Sequence, residues 1–73
     1  MRRFYMVKAN TYDGFIPCDN MLTAYRVAMD TFKKDTNVTR VTVWLCLGDL
    51  DNSYLYKTYS VDDYKRSVFL QFD

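Results

Sequence analysis

Asp49, Asp51 and Ser53 alternate through "DLDNS", the spacing with which a calcium loop opens, oxygen donors at every second position converging on one hard cation. The rest of the loop is wrong for that chemistry. Its sixth position needs glycine for a sharp bend and holds Tyr54; its twelfth needs a bidentate Glu and holds Ser60. Asp and Asn favour such turns anyway, because their side chains bond to their own backbone. Asp49 and Asp51 therefore read as an acidic hairpin loop that a partner protein could touch, and no metal is expected.

Catalytic chemistry is equally short of parts. The chain has no His and no Glu, and all nine of its acids are Asp. The commonest general base and the commonest metal ligand are thus missing together. Cys18 and Cys46 are the two thiols, and neither has a His to activate it. Cys18 precedes an expected helix N-terminus, yet both read better as small buried hydrophobes. The carboxylate pairs Asp49/Asp51 and Asp62/Asp63 would need a cleft to do acid–base work. With Gly14 and Gly48 as the two glycines, there is no glycine-rich phosphate loop. The expectation is a protein that is not an enzyme and carries no cofactor.

Composition sets the remaining bounds. Seventy-three residues make one small domain, 1–73. A chain this short buries only about 60% of its unfolded surface. It is 49% apolar and 18% aromatic, which excludes a disordered tail. Ten basic residues against nine acidic ones give a net charge of +1, so bulk attraction to nucleic acid or anionic membrane is not indicated. "MRRFYMVKAN" holds no apolar run of the length that secretion or membrane spanning needs. Two Cys make no disulfide framework, and "NVT" (Asn37 to Thr39) is a glycosylation triplet only in a secreted chain. A cytoplasmic protein with reduced thiols and no membrane partner is expected.

Behind these residues stand the elements that must position them. "RFYMVKA" (Arg3 to Ala9) reads as a strand, and "NTYDGFIP" as a loop turning at Asp13-Gly14. From about Asn20 to Lys34 the 3.6-residue period predicts an amphipathic helix. Its apolar stripe is Met21, Leu22, Ala24, Tyr25, Ala28, Met29 and Phe32, with Asp19 or Asn20 as the cap. Arg40 to Leu47 and Ser53 to Tyr59 read as a hairpin. Ser60 to Asp63 has capping-box spacing, with Asp in place of Glu, and predicts one helical turn through Tyr64 to Arg66. "SVFLQF" (Ser67 to Phe72) reads as a last strand. The expected fold is α+β, a two-layer β-α-β-β-β arrangement with the one helix packed on one face of a four-stranded sheet.

The hairpin register decides which side chains share a face. A five-residue loop pairs Leu45 with Leu55, Val43 with Lys57 and Val41 with Tyr59. Its other face then carries Cys46 with Tyr54, Trp44 with Tyr56 and Thr42 with Thr58. A four-residue loop regroups the pairs, because a one-residue slip flips a strand. In the first register Trp44, Tyr54, Tyr56, Phe69 and Tyr5 or Phe4 gather as an aromatic patch away from the helix. The exposed face of an antiparallel sheet is ordinarily polar, and a contiguous apolar patch usually marks a contact site. Lys57 and Arg40 flank it as rim charges acting on association rate. The expected function is a small non-enzymatic protein-binding module. Short chains of this build are common among phage and mobile-element accessory proteins, which suggests an inhibitor or modulator of a host protein machine. An alternative is single-stranded nucleic-acid binding, with bases stacked on the aromatic face beside Arg2, Arg3, Lys8, Arg40, Lys57, Lys65 and Arg66. A second alternative is a structural homodimer joined through the sheet face.

Overall fold

A computed structural model of the chain describes residues 3–48 and 51–71, the last three of these by backbone alone. The elements run β1 (Arg3–Ala9), β2 (Ile16–Cys18), α1 (Met21–Lys34), β3 (Arg40–Leu47), β4 (Ser53–Ser60) and α2 (Val61–Gln71). The strands form one antiparallel sheet in the order β2-β1-β3-β4. The α+β class and the four-stranded sheet with α1 on one face are as the sequence implies; the element order is not.

α1 begins where Asn20 accepts the Thr23 N–H at 2.8 Å, satisfying one orphan donor of the first turn. Lys33 and Lys34 end it, placed where the helix dipole favours cations. Ala24, Ala28 and Phe32, four residues apart, are buried against Val7, Ala9, Cys18, Val38, Val41, Val43 and Tyr59. Small alanines let the helix lie close on the sheet, which narrows the buried stripe. Leu22, about 120° around the helix from Ala28, consequently stands 59% exposed instead of joining the core.

The expected final strand is a helix. Ser60 and Asp63 form the capping box in full: the Ser60 N–H donates to Asp63 Oδ2 at 2.8 Å, and the Asp63 N–H donates to Ser60 Oγ at 3.3 Å. The Val61 N–H donates to the Thr39 carbonyl, tying the helix start to the entry of β3. Tyr64 stacks on Phe32 with ring centroids 5.7 Å apart, and Tyr25 Oη lies 2.7 Å from Ser67 Oγ. These contacts turn Ser67 and Val68 into helix residues facing α1, overriding their strand preference. Both helices therefore lie on one side of the sheet. β2 takes the place of the end of the expected loop: three residues centred on Pro17, which an edge strand tolerates because one N–H row faces away from the ladder.

The hairpin uses both candidate registers. Arg40 to Val43 pair with Ser60 to Lys57 as the five-residue loop requires, but Trp44 pairs with Leu55, Leu45 with Tyr54 and Cys46 with Ser53, as the shorter loop requires. A β-bulge reconciles the halves by leaving Tyr56 as the extra residue. The expected pairs Leu45–Leu55, Cys46–Tyr54 and Trp44–Tyr56 do not form. At the loop, the Leu47 N–H donates to the Asn52 carbonyl at 2.9 Å, and Gly48 has φ 93°, a left-handed turn conformation that suits glycine.

Candidate binding surfaces

The bulge splits the aromatic patch. Tyr5, Leu45 and Tyr54 form one cross-strand row on the α1 side of the sheet, beyond the part that α1 covers. Tyr56 turns to the same side, its ring 5.4 Å from that of Tyr5 in an edge-to-face contact. Trp44 lies on the opposite, open face in a row with Met6 and Leu55. A single aromatic face of Trp44, Tyr54, Tyr56 and Tyr5 is thus overturned by one inserted residue. Phe69 lies in α2, not in a strand, and its side chain falls outside the described residues, as do Asp49 and Arg2. Asp51 is exposed in the hairpin turn. Lys57 shares the α1 side, with Nζ 5.8 Å from the Tyr59 ring centroid, while Arg40 shares the open face with Trp44.

Among the described residues, three consecutive β4 side chains are the most open large apolar groups of the hairpin: Tyr54 at 49%, Leu55 at 51% and Tyr56 at 51%. β4 is also a free edge of the sheet and runs eight residues. The other edge, β2, is three residues long with a proline at its centre, a poor template for pairing. Strand alternation sends Tyr54 and Leu55 to opposite faces, so the edge is apolar on both.

The open face has a second feature. Lys8, Asn10, Tyr12, Asp13, Arg40 and Trp44 border a depression of about 320 Å3. Sequence alone marked Trp44, Arg40 and Lys8; Asn10, Tyr12 and Asp13 belonged to a segment that read as plain loop. Its walls are held from behind. The Trp44 indole N–H donates to Thr42 Oγ1 at 3.1 Å, and Thr42 in turn donates to the Lys8 carbonyl at 3.2 Å. Asn10 Oδ1 accepts the N–H groups of Thr39 and Arg40 at 3.1 and 3.3 Å. The Tyr12 hydroxyl donates to Asp35 Oδ2 at 3.1 Å, and that bond to a carboxylate holds the phenol above its usual pKa.

A groove of about 500 Å3 runs between α1 and α2, with Leu22, Met29 and Val68 as its apolar lining and Arg26, Asp30 and Lys33 along its rim. Asp30 is already paired there with Lys34 at 2.9 Å. The thiols lie away from these surfaces, buried and joined by no disulfide, and burial pushes the Cys18 thiol up, away from nucleophilic use. Among the described residues no three His, Cys, Asp or Glu gather as metal ligands, and no helix is long and apolar enough to cross a membrane. No family model, curated protein or solved structure matches the chain.

Proposed function

We propose that this chain is a cytoplasmic, non-enzymatic protein-binding module that grips a partner protein along the free edge of β4. The observation that carries the reading is the unbroken exposure of Tyr54, Leu55 and Tyr56 on an eight-residue edge strand. Singly scattered apolar side chains are normal on any surface, but three in succession on a sheet edge are not. Internal sheet stabilisation accounts for only part of it. Tyr56 has the Tyr5 ring as a neighbour, yet half of each side chain still meets water. Because the bulge interrupts the outer row of backbone groups at Tyr56, the grip rests on side chains more than on a continuous added strand. Lys57 sits at the rim, where a charge acts on encounter rate.

The homodimer is the form of this reading in which the partner is a second copy. Stacking of a nucleic-acid strand on the whole aromatic set has less support, since the tyrosines and Trp44 stand on opposite faces. The test compares wild type with a Tyr54→Ser/Tyr56→Ser variant, both verified as folded by circular dichroism. Each is immobilised and measured for proteins retained from the native host's lysate and for self-association. Loss of two anchors should weaken retention roughly 30-fold or more. Equal retention by the two proteins overturns the reading.

A further inference from the structure

The depression on the open face has chemistry of its own, separate from the β4 edge. Lys8 pairs with Thr42 across β1 and β3, and Arg40 lies two residues from Thr42 on the same face. The two cations are therefore diagonal neighbours, within reach of one small ligand. Neither forms an ion pair among the described residues. Two like charges held side by side raise the local potential, and an anion seated between them relieves it. Asp13 borders the same space, so two cations face one carboxylate and the depression keeps a net positive charge.

Its other borders suit an aromatic ring more than a bare ion. The Trp44 indole is partly buried and fixed by its bond to Thr42, so it offers a ring at a set angle. The Tyr12 hydroxyl is occupied by Asp35, leaving its ring as the contact. Asn10 fixes the backbone at Arg40 through three hydrogen bonds: Oδ1 accepts from Thr39 and Arg40, and the Asn10 N–H donates to the Arg40 carbonyl at 3.0 Å. A volume of about 320 Å3 is at the small end of ligand sites. We propose that the depression is a nucleotide site, Lys8 and Arg40 holding the phosphate and Trp44 stacking on the base. Arg40 supplies the planar fork that matches two phosphate oxygens, and Lys8 a point charge beside it.

Trp44 is the only tryptophan in the sequence, so its fluorescence reports directly on the site. Adenosine monophosphate is titrated against the full chain, with calorimetry reading the same binding without the indole. The expected result is saturable binding below about 1 mM, at least about tenfold tighter than adenosine and weakened by salt. Lys8→Gln and Arg40→Gln, neither of which breaks an ion pair among the described residues, should each cost about tenfold. A short oligothymidylate that displaces the nucleotide, with steeper salt dependence, identifies the phosphates of a single strand as the source. Failure to displace it identifies a free nucleotide. Absence of saturable binding, equal binding of adenosine, or unchanged binding by both variants overturns the proposal. Tyr54→Ser/Tyr56→Ser should bind the nucleotide as wild type does, which keeps this test independent of the β4 reading.

Discussion

Cys46 has no exposed surface and Cys18 only 4%, although they lie on opposite faces of the sheet. The native protein should therefore resist an alkylating agent and take up two equivalents once denatured without reductant. Rapid native labelling would show that one thiol is open; no uptake on denaturation would show a disulfide. Phe32 is the other residue on which much depends, since it is 4% exposed and joins the core to α2 through Tyr64. Phe32→Ala should cost about 3–5 kcal/mol, a large share of the roughly 4–11 kcal/mol that holds a domain of this size. Chemical denaturation reads that loss directly, and a variant as stable as the parent would contradict this packing. At this scale the sequence was informative about chemistry and less so about place. Missing His, the helix stripe and the open-face Trp44 could be read from residue types. Leu22 could not, because its burial depends on how closely Ala24 and Ala28 bring the helix to the sheet.

α1 was legible because its period, its Asn20 cap and its terminal lysines agree with one another. α2 was not, because its signals conflict. The capping box marks a helix start, while "SVFLQF" favours a strand, and the contacts that decide, Tyr64 with Phe32 and Tyr25 with Ser67, join residues far apart in sequence. Ser60→Ala should cost about 1 kcal/mol, read by denaturation. The Ser60 N–H and hydroxyl hold the Asp63 carboxylate below its usual pKa. A carboxylate lowered in the folded state adds stability that is fully present above its unfolded value, about 3.9, and is lost as pH falls through the folded one. Helical signal should therefore decline on acidification below about pH 4, and Asp63→Asn should flatten that decline. An unchanged acid limb in Asp63→Asn would remove the carboxylate from the explanation. The bulge left no trace in residue pattern, since a single insertion satisfies both loop lengths. Deleting Tyr56 should preserve every observed pairing of β3 with β4. If the deletion unfolds the protein, the bulge has a structural role beyond reconciling the registers.

The whole molecule is lopsided: two helices on one side of a four-stranded sheet, an open face with Trp44 on the other, and a free apolar edge between them. On the proposed reading, that arrangement accounts for large side chains on both faces of the hairpin. The register places Leu55 on the open side and Tyr54 on the α1 side, and among the described residues no strand pairs with β4 beyond β3. A partner gripping an edge touches both faces at once. Site-specific photo-crosslinking in the native host tests this most directly, with a benzophenone side chain replacing Tyr54 or Tyr56, and Leu22 on α1 as the comparison position. Discrete protein adducts from positions 54 and 56, stronger than those from 22, are expected, and an adduct of twice the chain's mass would identify a second copy as partner. Folded proteins that give no adduct from either β4 position, or the same adducts from all three, would contradict binding through this edge.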